Sequence, residues 1–348
     1  MATSSSGNPA AESFRLFPSD ENHVGLGFHD SSESSPPPSP PPCVEVLSSE
    51  VSGSLNYPVE PVNLGAVTLL KGRVSTKEVF ALSNSDLVPG KYEGGLKLWE
   101  GSLDLIKYLH SAIQNEQLCI KGMRVLEIGC GHGLPGIFAL LQGASVIHFQ
   151  DFNAEVLKCL TIPNLYANST KGSQIFDANA SEWASREELR FIAGDWRDVH
   201  QLLFDSHSEK EMDCSSGWHV AASYDLILMA ETVYSNSNLQ CLYELIKKCM
   251  KNPGGVTYMA AKKYYFGVGG GTRRFVSLVQ KDGVMVANMV AEVTDGSSNV
   301  RENVIYAKHD QGKNMYRPGK LCGAYLLETS HFETDKIHDL KSKTSKKK

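Results

Sequence analysis

The sequence predicts an α/β protein built on a doubly wound, largely parallel sheet, and three observations carry that prediction. A short apolar stretch, Val125, Leu126 and Ile128, runs into glycines at every second residue, Gly129, Gly131 and Gly133, and then into a helical apolar pattern that stops at Gly143. Apolar runs of strand length then alternate with helical periods along the chain, the arrangement that gives parallel strands joined by crossover helices. Acidic residues fall at the carboxyl ends of four successive strands, marked by Glu127, Asp151, Asp195 and Glu231. Ligands of open α/β sheets gather at those ends.

The elements follow in order. Residues 1–53 are rich in Ser and Pro, with the run Pro36–Pro42, and are expected to be a disordered spacer that samples polyproline II. Residues 54–90 read as an N-terminal arm laid against the main domain, with strands at Val67–Leu70 and Val79–Leu82. A helix is predicted over Leu103–Ile113, with Leu105, Ile106, Leu109 and Ile113 on one face, Ser102 as N-cap and Asp104 in the first turn. Trp99, beside Glu100 at the entrance to that helix, is expected to lie as a lid over the ligand.

The central strand is Val125–Ile128, followed by a helix from Leu134 with Pro135 in its first turn, where a missing N–H costs little. The second strand, Ser145–Phe149, leads into Gln150-Asp151-Phe152-Asn153 and a helix from Ala154 through Asn168. The third, Leu189–Ala193, ends in Gly194-Asp195-Trp196, and the fourth, from Tyr224, has Glu231 just past its carboxyl end. An amphipathic helix over Leu239–Met250, a fifth strand at Val256–Ala261, a helix over Thr272–Gln280 and a sixth strand at Met285–Val293 complete the pattern. The glycine-rich stretch Gly267–Gly271 lacks the Lys-Ser/Thr of a P-loop and is expected to be a flexible loop on the rim of the site. Residues 169–186 and 200–223 are polar excursions.

The whole chain narrows the function classes. With 34 basic and 39 acidic residues the net charge is −5, so no global basic field points to nucleic acid. A Lys cluster at Lys341, Lys343 and Lys346–Lys348 is the exception and reads as a solvated tail or a nuclear address. The eight cysteines include no C-x-x-C and no His pair stands at ligand spacing, so no metal site is expected. Neither a leader nor a stretch approaching the ~20 apolar residues of a membrane span is expected, which predicts a reduced, cytoplasmic or nuclear setting.

Gly131-His-Gly133-Leu-Pro-Gly136 matches G-x-G-x-x-G, a dinucleotide fingerprint that is weak by itself. Asp151 is suited to two ribose hydroxyls, as in nicotinamide sites also. Asp195 can accept from the exocyclic amine of an adenine while Trp196 stacks on it. Glu127, Gly129 and Gly131, with the acid inside the strand, tilt the pattern towards S-adenosylmethionine. A nicotinamide oxidoreductase lacks an evident proton donor at the strand ends.

Taken together these residues resemble a class I S-adenosylmethionine-dependent methyltransferase, whose fold is a Rossmann-like doubly wound seven-stranded sheet. The acid-x-x-aromatic at the fourth strand end, Glu231-Thr-Val-Tyr234, is similar to the seven-β-strand protein methyltransferases. Tyr92-Glu-Gly-Gly-Leu-Lys-Leu-Trp-Glu100, His148–Asn153, Gly194–Trp196 and Tyr265–Gly271 resemble the protein-histidine methyltransferases, over roughly residues 66–296. The resemblance implies a methyltransferase domain over residues 91–298 and cofactor contacts at Leu98, Trp99, Glu100, Gly101, Ser102, Gly129, Gln150, Asp151, Phe152, Gly194, Asp195, Trp196 and Ala230. It also implies a protein substrate, a large-subunit ribosomal protein. The sequence does not give the oligomeric state, for which a monomer is the expectation, and the expected setting is cytoplasm and nucleus. Residues 299–348 depart from the family and form an atypical extension, in which Val304–Ala307 or Gly323–Glu328 would supply the closing strand.

The chemistry needs no strong base, because an imidazole of pKa ~6.5 is mostly neutral at pH 7 and already nucleophilic. Glu231 is expected to hold one ring N–H so that the other nitrogen attacks, with Tyr234 lining the acceptor pocket. Lysine, at pKa ~10.4, would first have to lose a proton and is the alternative acceptor. A non-catalytic adaptor with this fold is the competing class.

Overall fold

The computed structural model describes residues 40–51, 58–83, 85–169, 189–204, 223–293 and 302–309. Chain order gives strands β1 (Val44–Glu45), β2 (Val59–Asn63) and β3 (Thr68–Gly72), then helices α1 (Thr76–Phe80) and α2 (Glu100–Gln114). Strand β4 (Arg124–Ile128), helix α3 (Leu134–Leu141) and strand β5 (Val146–Asp151) form the first β–α–β unit. Helix α4 begins at Ala154–Val156, passes through a π-turn at Leu157–Thr161 and ends as Ile162–Ser169. Strand β6 (Leu189–Ala193), helix α5 (His200–Phe204), strand β7 (Leu226–Ala230) and helix α6 (Leu239–Cys249) come next. They are followed by β8 (Val256–Lys262), α7 (Thr272–Asp282), β9 (Met285–Val293) and β10 (Glu302–His309).

The main sheet has the order β1-β6-β5-β4-β7-β8-β10-β9. Strands β4 to β8 pair in parallel, and β10 runs antiparallel between β8 and β9. This is the doubly wound seven-stranded sheet expected from the sequence, with the two-residue β1 added at one edge. Its faces can be read from the alternation along β4. Val125 packs with α2, α3 and α4 through Leu105, Leu109, Phe138 and Ile162, while Leu126 and Ile128 pack with α6 and α7 through Leu242, Ile246, Phe275 and Val279. Burial on both faces explains why the central strands read as continuous apolar runs.

The structure corrects four expectations. Val79–Leu82 is not a strand: Thr76–Phe80 is helical, Ser75 accepts from the Lys77 N–H at its start, and Val79, Phe80 and Leu82 pack around Tyr92. The partner of β3 is β2, and the hairpin docks because asparagines of α4 imitate a neighbouring strand. Asn168 accepts from the Leu70 N–H and donates to the Leu70 carbonyl, each at 2.8 Å, and Asn164 accepts from the Gly72 N–H at 2.6 Å. Helix α2 starts two residues before Ser102, with Trp99 at its N-cap, so Ser102 lies in the first turn.

The other two concern the ends. Part of the expected spacer is ordered, since β1 pairs with β6 and Arg190 holds Glu45 through two 2.8 Å contacts across 145 residues of chain. At the far end, the expected domain boundary at residue 298 falls too early: the Val304–Ala307 alternative for the closing strand holds, within Glu302–His309, the seventh strand, bonded on both sides. Val304, Ile305 and Ala307 are buried there. Gly323–Glu328 and the Lys cluster lie outside the described residues.

Helix α3 meets the sheet through Gly136, where a Cβ would stand 2.5 Å from a ring carbon of Phe149 and 2.6 Å from Glu127 Oε2. Gly136→Ala is expected to cost about 1–3 kcal/mol through overpacking. Calorimetry would read this as a melting temperature lowered by several degrees, and an unchanged melting temperature would contradict the tight contact.

Candidate active site

A cavity of about 60 Å³ lies at the carboxyl ends of β4, β5, β6 and β7, closed from above by the strap that leads from Glu93 into α2. Its floor is the loop after β4. Gly131 has φ of +50° and presents its N–H to Asp151 Oδ2 at 2.9 Å. A Cβ there would come within 3.0 Å of the Gly95 carbonyl, so only glycine lets loop and strap approach this closely.

Asp151 ends β5 with its carboxylate buried, Oδ1 accepting from the Asn153 N–H at 3.1 Å. Burial pushes its pKa up to about 6, against the pull of the N–H groups that favour the charge. A carboxylate that retains acceptor capacity on the cavity wall suits the hydroxyl donors of a ribose.

Gln150 holds the strand ends together. Its amide oxygen accepts from the Gly129 N–H at 3.2 Å and from the Trp196 indole at 3.0 Å, and its amide nitrogen donates to the Gly194 carbonyl at 2.9 Å. The ends of β4, β5 and β6 thus share one buried side chain.

The sequence-predicted site residues divide accordingly. Leu98, Trp99, Ser102, Gly129, Gly131, Asp151, Phe152, Trp196, Ala230, Glu231 and Tyr234 line the cavity. Six stand behind its wall. Gln150 is spent on the clamp. Glu127 accepts from the Gly136 N–H at 2.7 Å, fastening β4 to α3, and full burial raises its pKa well above the usual carboxylate range. Gly194 faces Cys43 beside β1, and Gly101 faces the Glu231 carboxylate and the Ala260 carbonyl. Glu100 lies 3.9 Å from Lys262. Asp195 is held by Arg197 through contacts of 2.8 and 2.7 Å, which keep its carboxyl below the ordinary range, so its oxygens face a guanidinium.

The strap, the loop after β4 and the end of β7 supply wall residues that the sequence reading passed over: Glu93, Gly94, Gly95, Lys97, Cys130, His132 and Thr232. Each is adjacent to a motif already singled out, and the missing signal was direction. The strap is tied down at several points. Trp99 Nε1 donates to the Gly94 carbonyl at 3.0 Å, Asn153 accepts from the Glu93 N–H at 3.2 Å, and the Tyr234 hydroxyl donates to Glu93. Trp99 lines the cavity from the strap.

His132 Nε2 stands 3.1 Å from the Leu96 carbonyl, which can only accept, so that nitrogen carries the proton. Burial lowers the pKa of His132 to about 4, leaving the ring neutral with Nδ1 an acceptor. Nδ1 of His132 and Oγ1 of Thr232 are buried with no hydrogen-bond partner. Orphaned polar atoms of this kind mark where a polar ligand binds. With the Asp151 carboxylate and the Trp196 ring, they fit the nucleoside and amino-acid parts of S-adenosylmethionine.

Glu231 follows β7 with φ of +57°, uncommon for a residue with a side chain, and its N–H donates to the Ala260 carbonyl at 2.9 Å. The strained backbone turns its carboxylate under Gly101, where the Tyr265 hydroxyl donates to it. The Gly267–Gly271 stretch, expected to be flexible, is pinned: Gly270 and Gly271 donate to the carbonyls of Tyr234 and Val233 at 2.9 and 2.8 Å. Among the described residues there is no cluster able to hold a metal, and no helix is long and apolar enough to cross a membrane.

A family model described as lysine methyltransferase matches residues 89–194. A Dictyostelium discoideum protein named histidine protein methyltransferase 1 homolog is 42% identical over 223 residues, 64% of this chain and 60% of that one. The homolog of the same name from Bos taurus is 33% identical over 306 residues, 80% of this chain and 78% of the relative. Histidine protein methyltransferase 1 of Saccharomyces cerevisiae is 33% identical over 221 residues, 56% of this chain and 58% of the relative. The chain thus spans about three fifths of the Dictyostelium and yeast proteins and more than three quarters of the bovine one.

Hydroxyl donors at Asp151 favour its charged form, so binding below its free pKa of about 6 must first expel a proton. Affinity for S-adenosylmethionine, measured calorimetrically, is expected to fall as pH drops from 7 to 5, by up to about tenfold per unit below 6. Asp151→Asn is expected to bind weakly at every pH and to flatten that dependence. A wild-type affinity independent of pH across this range would contradict the assignment.

Proposed function

Because this chain belongs to the S-adenosylmethionine-dependent histidine protein methyltransferases, we propose that it methylates a histidine ring nitrogen in a protein of the large ribosomal subunit, acting in cytoplasm and nucleus. The observation that carries the acceptor type is the similarity to the bovine histidine protein methyltransferase 1 homolog, which extends over 80% of this chain. The cofactor, when bound, supplies a methyl group already activated on a sulfonium.

What remains for the chain's own residues is to hold the acceptor in line and keep water out. Trp99 and the rest of the strap cover the cavity, and Asp151 and Trp196 stand where a ribose and an adenine can be held. Glu231, buried at the end of β7, accepts the N–H of one imidazole nitrogen, which fixes the tautomer and leaves a lone pair on the other. The Tyr265 hydroxyl orients that carboxylate. Tyr234 lines the acceptor side and, through Glu93, joins it to the strap.

A lysine acceptor is favoured by one observation, the description of the family model that matches residues 89–194. That match covers the cofactor half of the sheet and ends before β7, which bears Glu231. Purified protein incubated with labelled S-adenosylmethionine and large ribosomal subunits separates the two. Methylhistidine in the hydrolysate is the expected product, whereas methyllysine would replace this reading. Glu231→Gln is expected to lower kcat about a hundredfold with cofactor affinity within twofold, and full activity in that variant would remove the role given to Glu231.

A further inference from the structure

Tyr264, Tyr265 and Phe266 leave β8 on the rim of the site and alternate in direction. Tyr265 turns inwards, its hydroxyl donating to Glu231 and accepting from the Lys262 N–H at 3.3 Å. Tyr264 and Phe266 turn outwards, 46% and 73% exposed, and Phe266 is the most exposed large hydrophobic side chain among the described residues. Aromatic side chains left in water beside the mouth of a site are the usual anchors of protein recognition.

These two are held in place before any partner arrives. The Gly269 N–H donates to the Tyr265 carbonyl at 3.0 Å, and Gly270 and Gly271 zip the loop to Tyr234 and Val233. A Cβ at Gly270 would fall 2.1 Å from the Val233 carbonyl oxygen, so glycine makes this closure possible. The Arg273 guanidinium covers the Tyr264 ring at 5.2 Å and donates to its hydroxyl at 2.5 Å. A preorganised surface binds without the entropic cost of ordering a loop.

We propose that Tyr264 and Phe266 form the docking surface for the acceptor protein, with Phe266 seating an apolar side chain that flanks the acceptor histidine. Continuity with the site supports this occupant, because the residue between the two exposed rings is the one that holds Glu231. A protein is favoured over a nucleic acid because the two lysines that precede the rings face acids, Lys263 at 3.1 Å from Glu292 and Lys262 at 3.9 Å from Glu100. Docking by this surface would raise the local concentration of the imidazole over Glu231 without contributing to the methyl-transfer step.

The inference rests on the protein-histidine reading, and the experiment keeps the two apart. Full-length wild type and Phe266→Ala are compared for S-adenosylmethionine affinity and for kcat and KM on purified large ribosomal subunits, with methylhistidine as the readout. Phe266→Ala is expected to raise KM about tenfold or more, with kcat and cofactor affinity within twofold, and Phe266→Tyr to restore most of the loss. A KM unchanged in Phe266→Ala, or a loss matched by weaker cofactor binding, overturns the docking surface while leaving the histidine reading intact. Loss of RNA binding by Phe266→Ala with unchanged KM on RNase-treated acceptor overturns it in favour of a nucleic-acid contact. Absence of methylhistidine with wild type overturns the function and the docking surface together.

Discussion

The active-site end of this protein depends on one buried amide. Gln150 takes two donors on its oxygen, from Gly129 and Trp196, and gives one N–H to Gly194. Without it three groups at the ends of β4 and β6 would lose their partner, at a cost of about 1–3 kcal/mol for one left buried. With it, the glycine loop, the Asp151 carboxylate and the Trp196 ring share a common frame. A side chain can be indispensable to ligand binding while touching no ligand, and Gln150 has that geometry. Glu127 does the same on the other face, where it fastens α3 to β4 through Gly136.

Around that frame the chain adds segments remote in sequence. The β2–β3 hairpin docks on α4 through Asn164 and Asn168, and β1 docks on β6 through Arg190 and Glu45. Both additions satisfy edge groups, since a sheet edge or a hairpin edge leaves unpaired N–H and C=O groups. Between them lies the strap from Glu93 to Trp99, bound to the loop below by side chains of His132, Asn153 and Tyr234. It is also packed from beneath, with Leu96 buried among Tyr92, Val156 and Leu160 and Leu98 against the main core.

The acceptor side is built differently. Glu231 sits in a left-handed conformation that its neighbours enforce, with its N–H on Ala260, its carboxylate on Tyr265, and the following residues zipped to Gly270 and Gly271. One loop carries both the inward Tyr265, which holds the Glu231 carboxylate, and the outward Phe266.

A doubly wound, largely parallel sheet, the two-sided burial of β4 and the gathering of acids at the strand ends were all legible in the sequence alone. Apolar runs, glycine spacing and strand-end acids are local patterns, and the local rules of strand, turn and helix act on them directly. Asp151, Trp196 and Glu231 were legible for the same reason. What the tertiary structure decided were matters of direction and distant partnership. Asp195 turns to Arg197, Gln150 turns inwards, and His132 and Thr232 stand on the cavity wall. Val79 and Phe80 join a helix, although their composition suits a strand, because the Tyr92 cluster gives that helix an apolar face to bury. Val304–Ala307 was legible as a closing strand, but its antiparallel place between β8 and β9 was not. Residue type limits what a position can do, but pairings across more than a hundred residues are chosen by the free energy of the assembled sheet, which no local window contains.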